Sequence, residues 1–515
     1  MKKKAFLLNA LLLTGASLLM RTIGISFRVY LSNKIGAEGI GLYSLVLTIY
    51  MFVTTFATSG VSLSVTRLVT DAIAEGRPGK ARRVTKKCFV FSLIMSLLAG
   101  GALFLLAGDI GTLWLKDPRA VLPLRILAPS LPFMAVSACF RGYFFAVRKV
   151  VKTVSEQLFE QFVEILVFSS LVGLLAPKGI EYACCAIVIG TTVAEVVSCL
   201  YSFLLYIFDV KHLGRQGGEG AQKGLFRKIM GICLPVTASS CLRSGLSMVE
   251  NILIPKGLKK NGASSSDSLA HYGMLTGMVM PVLTFPSAFL SSFSMLLIPE
   301  LSEANAVHHK KNINYIATRV FQITLLFSIL VTGVFLFFAK DLGALIYGNV
   351  TTGTYIRVLA PIIPLMYLDS VVDGMLKGLG EQVSYLSYNI IDSIIRVILI
   401  YSLVPVMGLN GVIVVIFVSE ILNSTLSILR LIKVTKLHFK VLDWLVKPFM
   451  AVAVAGLLVS LAARYTALYF SSALSFLVCE IALFLLIYYV ILRLTGCISR
   501  EDLSWVKHTF QKNRA

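Results

Sequence analysis

The chain leaves almost no room for a water-soluble domain. Charged residues fill only 14% of its 515 positions, and acids are the scarcer kind, 26 against 48 lysines and arginines. The segments between its apolar runs are too short for an ATPase or glycosyltransferase domain. No phosphate-cradling Gly-rich loop followed by Lys-Ser/Thr occurs, and no nucleophile stands in a pattern with a base, so an enzyme is not expected. Cys-x-x-Cys pairs and Cys/His metal spacings are absent. The nine cysteines, Cys88, Cys139, Cys184, Cys185, Cys199, Cys233, Cys241, Cys479 and Cys497, fall almost entirely inside apolar runs and read as small buried hydrophobes. No metal or cofactor is expected. Alternating ten-residue barrel strands are missing too.

What the chain has is apolar length. It is 57% hydrophobic with a mean hydropathy of +0.83. Runs long enough to cross a ~30 Å hydrocarbon core recur throughout. They predict an all-α polytopic membrane protein with spans near 6–31, 41–66, 88–107, 122–146, 153–175, 182–207, 229–255, 270–298, 320–339, 355–376, 383–404, 411–429, 448–470 and 473–492. Met1-Lys-Lys-Lys4 before an apolar run could open a signal peptide. The run lacks a small-x-small cleavage site and continues past Arg21 and Arg28, so it reads as a retained first span. Proline pairs lie within spans at Pro129 and Pro132, Pro281 and Pro286, and Pro361 and Pro364. Such breaks are tolerated where backbone groups face protein or water.

The basic residues orient these spans. Thirty-one of the 48 fall in the N-terminus, the even-to-odd loops and the C-terminal tail, against eleven on the opposite side. The positive-inside rule then puts both termini in the cytoplasm, in a cytoplasmic membrane. The formal charge of +22 is mostly this topogenic signal, and with no basic soluble domain it implies no nucleic-acid partner. Residues 77–87 also suit anionic lipid headgroups. His308-His309-Lys310-Lys311 lies in a positive-inside loop without partner ligands and reads as a solvated loop.

The chain repeats itself. Arg125-Ile-Leu-Ala-Pro129 recurs as Arg357-Val-Leu-Ala-Pro361, an offset of 232. The same offset aligns Asp109-Ile-Gly111 with Asp341-Leu-Gly343, Gly142 with Gly374, and Ala72 with Ala304, without a gap from about residue 54 to 165. Near the start of each half the offset is about 222, because residues 256–268 look inserted; there Arg21 aligns with Arg243. This predicts two pseudo-symmetric six-helix bundles, 1–210 and 229–435, joined by a cytoplasmic linker, 211–228, and followed by two further spans and a cytoplasmic tail, 436–515. Six spans per copy keep both copies in one orientation. Transporters built on such parallel repeats place their substrate between the halves.

Charges inside the spans mark the candidate sites. A charge at mid-membrane costs about 2.5–3.5 kcal/mol on insertion scales and usually faces a protein interior or a wet cavity. Arg21 and Arg243 lie deep in their spans, where they cannot easily snorkel; Arg28 is nearer an end and could. A cationic interior points to an anionic cargo, and guanidinium suits pyrophosphate through bidentate hydrogen bonds. Arg67 is a weaker candidate near a cytoplasmic end. Repeat-related positions exchange sign: Arg28 aligns with Glu250, Arg141 with Asp373, Glu164 with Arg396, while Glu160 aligns with Asp392. Pairing between neighbouring helices of each bundle would produce this; an ion or proton site is the alternative. Depth favours Arg141 with Glu156 or Glu160 over Glu164. Glu156, Glu160 and Glu164 share one helix face, where three carboxylates could not all ionise cheaply. Asp369 and Asp373 are one turn apart on a single span.

Several segments carry a family likeness. Arg21-Thr-Ile-Gly24 leading to Arg28, Gly36-Ala-Glu-Gly-Ile-Gly-Leu-Tyr43, Arg141-Gly-Tyr-Phe144, Gly179-Ile-Glu-Tyr-Ala183, Tyr272-Gly-Met-Leu-Thr-Gly277, Leu283-Thr-Phe-Pro-Ser287 and Leu297-Ile-Pro-Glu-Leu-Ser-Glu303 stand in sequence order along the chain. In these the chain resembles the MOP exporter superfamily, in its polysaccharide-biosynthesis and stage V sporulation protein B branch, related to the lipid II flippase MurJ. The resemblance covers essentially the whole chain and weakens in the last two spans. It implies a flippase that carries an undecaprenyl-pyrophosphate-linked saccharide, a peptidoglycan or other cell-wall or spore-cortex precursor, across the cytoplasmic membrane. It implies arginines of the first span and of the second half around a central cationic cavity, here Arg21, Arg28 and Arg243, and a lipid-tail groove at the last two spans. Its partners would be the lipid-linked anionic saccharide, membrane lipids and cell-wall synthesis proteins. Membrane potential, sodium or protons would drive net movement. A multidrug cation antiporter of the same superfamily is the first alternative, disfavoured by the arginines; a non-transporting scaffold of a cell-wall assembly complex is the second.

The topology is directly testable. A membrane-impermeant thiol reagent applied to intact cells, in a background without other cysteines, should label Lys259→Cys and leave Lys3→Cys unlabelled until the cells are opened.

Overall fold

The computed structural model describes residues 2–75, 78–212, 225–290, 301–302, 305, 309–437, 439–466 and 472–497. Arg77, most of the expected linker (213–224), the far part of the eighth span (291–298), His308, the end of the thirteenth span (467–470) and the tail (498–515) lie outside them. The described residues are helical throughout, with no strand. The helices are α1 (Lys2–Ala74), α2 (Pro78–Asp109), α3 (Val121–Leu127), α4 (Ser130–Ala146), α5 (Val150–Leu175), α6 (Ile180–His212), α7 (Leu225–Lys260), α8 (Ser265–Gly273), α9 (Met280–Thr284), α10 (Lys310–Tyr347), α11 (Val350–Leu359), α12 (Ile363–Gly378), α13 (Gln382–Met407), α14 (Leu409–Thr435), α15 (Lys447–Thr466) and α16 (Ala473–Leu494).

Among the described residues, eleven helices are long and apolar enough to cross a membrane, and the bent pair of α3 and α4 makes a twelfth. The break in that pair falls at Ala128-Pro129, where proline removes a backbone donor. The first two expected spans are fused in the 73-residue α1. They part at Gly36, whose φ of 71° and ψ of 177° are non-helical and in a region that favours glycine. The eighth expected span begins in α8 and α9 and continues into undescribed residues. Fourteen spans are compatible with this arrangement.

The chain divides into two compact units, residues 15–274 and residues 275–515 with 1–14. In the first, α1, α2, α4, α6 and α7 share a core that includes Val65, Cys88, Phe140, Tyr143, Cys199 and Ile229. A second cluster seals α1 to α5 and α6 through Phe27, Leu31, Phe168 and Ile187. Helix α7 lies against the second half of α1: a Cβ at Gly60 would stand 2.6 Å from Cys233 O, and one at Gly245 would stand 3.4 Å from the Phe52 ring. The spatial unit thus ends one span later than the sequence repeat. In the second unit, α15 and α16 pack on α10 through Ile329, Phe338, Val452 and Phe484.

The repeat also recurs as a clamp, found separately in each unit. In the first, the turn between α4 and α5 places Arg148 at φ 60° and closes with Lys149 N–H donating to Phe144 O at 2.9 Å. Lys149 and Lys152 each put Nζ 2.6 Å from Oδ1 of Asp209, near the end of α6, and Tyr143 donates to its Oδ2 at 3.2 Å. In the second unit, 232 residues on, Gly380 sits at φ 82° and Glu381 N–H donates to Leu376 O at 2.9 Å. Here Arg430, near the end of α14, donates from Nε and Nη2 to Glu381 Oε2 at 3.1 and 2.7 Å, and Ser384 donates to the same oxygen at 3.0 Å. Turn and clamp keep their positions while the charges change places.

The two clamps differ in depth, and depth sets their worth. Asp209 is 2% exposed, so Lys149→Ala with Lys152→Ala leaves a buried charge with no cation, only the Tyr143 hydroxyl, and should cost about 3–5 kcal/mol. Glu381 is 24% exposed, and its pair is worth only about 0.2–1 kcal/mol. The Arg430 hydrogen bonds hold the Glu381 carboxyl below the usual glutamate range. Its contribution is therefore present above the ordinary value of ~4.3 and lost as pH falls through the lower folded value. Thermal unfolding of the wild type and Glu381→Gln should differ at neutral pH and converge in acid.

Candidate functional site

The first unit contains all three arginines expected to meet cargo. Arg21 and Arg28, seven residues apart on α1, share a helix face with Gly24 between them. A Cβ on Gly24 would stand 3.5 Å from Gln161 Nε2, so this face adjoins α5. Phe27 and Leu31 are buried, while Arg21 and Arg28 are exposed. Arg28 and Glu164 both lie within electrostatic range of Tyr43. Arg243 is exposed on α7 beside the contact with α1, where Thr55 Oγ1 and Ser244 Oγ are 3.4 Å apart. Among the described residues none of the three has an ion-pair partner. Arg67 is exposed near the end of α1, and Glu250 is half-buried on α7 next to Asn251, which accepts from Tyr272 at 2.9 Å.

The other embedded arginine of this unit is neutralised. Arg141 on α4 donates from Nη1 to Glu156 Oε1 on α5 at 3.2 Å and stands 3.9 Å from Glu160 Oε2. Ser198 on α6 lies 3.3 Å from Glu156 Oε1 and 3.2 Å from Glu160 Oε2. Glu164 takes no arginine and accepts from Thr191 at 2.8 Å. A fourth acid, Glu195 on α6, lies within electrostatic range of Arg141, Glu156, Glu160 and Glu164. It did not stand out from the sequence because it belongs to no repeat pair and no periodic face. The available signal was a lone acid in the middle of a 31-residue apolar span.

The second unit solves the same problem differently. Arg396 pairs with Asp392 on its own helix α13, Nη2 to Oδ2 at 2.7 Å. Ser419 on α14 accepts from Arg396 Nε at 3.0 Å and donates to Asp392 Oδ1 at 2.6 Å. Pairing here runs along one helix and through a serine, whereas the sign pattern had suggested neighbouring helices. Asp369 on α12 accepts from Asn423 Nδ2 at 2.9 Å, and the buried Oδ1 atoms of Asp369 and Asp373 have no donor. Asp373 is not paired with Arg396, and Glu420 on α14 lies within electrostatic range of Asp369, Asp392 and Arg396.

Known proteins resemble this chain over most of its length. Residues 6–305 match the family model described as polysaccharide biosynthesis protein. The chain is 26% identical over 510 residues to the stage V sporulation protein B of Bacillus subtilis (strain 168), covering 98% of each chain. It is 24% identical over 434 residues to the lipid II flippase MurJ of the same organism, covering 78% of each. Among solved structures, an inward closed conformation of lipid II flippase MurJ superposes with a TM-score of 0.69 at 15% identity, covering 93% of this chain and 98% of that one.

The Arg141 pair lends itself to a double-variant test. Arg141→Ala should destabilise the folded protein by about 3–5 kcal/mol, because it strands buried carboxylates. Adding Glu156→Gln should restore part of that loss in thermal unfolding; two independent, additive losses would contradict the pairing.

Proposed function

The chain belongs to the polysaccharide biosynthesis protein family, and from that premise we propose that it flips an undecaprenyl-pyrophosphate-linked saccharide, a cell-wall or spore-cortex precursor, across the cytoplasmic membrane. One observation carries the reading. Arg141 and Arg396 are neutralised, whereas Arg21, Arg28 and Arg243 have no ion-pair partner among the described residues. Unpaired guanidinium groups in a membrane-embedded helix call for an anion from outside the chain. Pyrophosphate offers two charged groups and several acceptors to fork-shaped donors.

In this mechanism the pyrophosphate binds Arg21, Arg28 and Arg243. The saccharide crosses through a wet cavity while the polyprenyl tail stays in the bilayer beside α15 and α16. The two repeats rock to open alternately to each side. Arg67, near the cytoplasmic end of its span, could meet the anion on entry. Net movement draws on membrane potential, worth ~2.3 kcal/mol per charge per 100 mV, or on an ion gradient. The acids Glu250, Asp373 and Asp392 and the cluster around Arg141 are the candidates for coupling. The likeness to stage V sporulation protein B and to MurJ supports this reading over an enzyme. A scaffold that organises cell-wall synthesis proteins is the rival, and it moves no lipid.

Liposomes holding the purified protein and an undecaprenyl-pyrophosphate-linked saccharide decide between them. We expect accelerated lipid flipping, with Arg21→Ala and Arg243→Ala each binding roughly ten- to a hundredfold more weakly, since a hydrogen bond to a charged group contributes about 1.5–3 kcal/mol. A folded wild type that neither binds nor moves the lipid would sink the proposal.

A further inference from the structure

We infer that the first repeat holds a coupling proton among α4, α5 and α6, with Glu195 at its centre. Four carboxylates, Glu156, Glu160, Glu164 and Glu195, share one guanidinium, that of Arg141. Tyr43 and Tyr50 from α1 and Cys199 on α6 are the other titratable groups that face them. Glu156 is 0% exposed and Glu195 4%. In each, Oε2 has no hydrogen-bond donor. Glu160 and Glu164 are half-buried, so the demand falls on the two buried acids, Glu156 and Glu195, which share the single charge of Arg141; ionising both would leave a buried negative charge without a counter-charge.

Counting hydrogens leads to the same place. Ser198 Oγ is within hydrogen-bond distance of both Glu156 Oε1 and Glu160 Oε2, at 3.3 and 3.2 Å. A serine hydroxyl owns one hydrogen, so it serves only one of them. A hydrogen carried by a carboxyl group and donated to the serine oxygen would complete the other contact. The second unit supplies the control. Ser419 contacts one acid and one arginine, accepting from Arg396 and donating to Asp392, so its hydrogens balance without a proton. In the first repeat no guanidinium reaches the serine, and a proton takes that place. A metal ion is the weaker occupant, since no group of three or more metal-ligating side chains is arranged for one among the described residues.

The site has a route to the cargo, a step that rests on the flippase reading. Helix α5 brings Gln161 and Glu164 toward α1: Gln161 adjoins Gly24, between Arg21 and Arg28, and Glu164 shares Tyr43 with Arg28. Gaining or losing a proton changes the charge one helix away from the guanidinium groups that bind pyrophosphate. Cargo and proton thereby influence each other's binding, reciprocally.

Infrared difference spectroscopy on the full chain in lipid nanodiscs tests the proton without transport. At neutral pH we expect the C=O stretch of a protonated carboxyl, shifted by deuteration, reduced in Glu195→Gln and in Glu160→Gln, and unchanged when sodium replaces potassium. Absence of that band in the wild type overturns the inference. So does a band that neither substitution reduces, or one that sodium removes at fixed pH. In proteoliposomes with an undecaprenyl-pyrophosphate lipid, an imposed pH difference should shift lipid distribution by up to about tenfold per pH unit for one coupled proton, a response absent in Glu195→Gln. Wild-type flipping indifferent to the pH difference overturns the coupling and leaves the flippase standing. No lipid movement at all removes the flippase, while the infrared result still decides the proton.

Discussion

A charge placed in hydrocarbon needs a counter-charge or water within a few ångströms, and the helices of this protein are arranged around that demand. The cost of an unmatched ion exceeds what any one packing contact returns. Arg141 therefore meets Glu156 across a helix boundary, Arg396 meets Asp392 along one helix, and Asp209 takes two lysines at once. Against that pattern Arg21, Arg28 and Arg243 stand out, since none has an ion-pair partner among the described residues.

Much of this was legible beforehand, for identifiable reasons. Spans show in composition because a bilayer accepts little else, and the repeat shows because Arg125-Ile-Leu-Ala-Pro129 and its copy preserve a proline kink that both halves need. Sign exchange between Glu164 and Arg396 was also visible. How each charge is satisfied was not. Whether Arg396 bonds along its own helix or across to the next depends on the rotation of α13 by a fraction of a turn, and on Ser419 standing opposite. Glu195 was hidden because its partners come from two other helices. The fusion of two spans in α1, parted only at Gly36, could not be read from hydropathy, which sees apolar length and not direction.

The two repeats share positions more faithfully than chemistry. Ser198 on α6 and Ser419 on α14 both address an acid of the preceding helix, Glu160 in one case and Asp392 in the other. One acid shares its serine with a second acid; the other shares it with an arginine. A common scaffold has thus acquired two electrostatic characters. The first repeat has acids in excess around a single arginine, while the second has an internally closed ion pair with further acids set apart at Asp369, Asp373 and Glu420. Fold likeness at 15% identity carries the scaffold alone; these local differences belong to this chain.

The exchanged clamps have a consequence for how such a chain assembles. Two halves with the same shape invite each hairpin to dock on the other half's sixth helix during synthesis. Here the lysines of the first turn would then face Arg430, and Glu381 of the second would face Asp209, like against like in both errors. Only the native choice brings opposite charges together. Lys149, Asp209, Glu381 and Arg430 thus make the native pairing within each unit attractive and the crossed pairing repulsive.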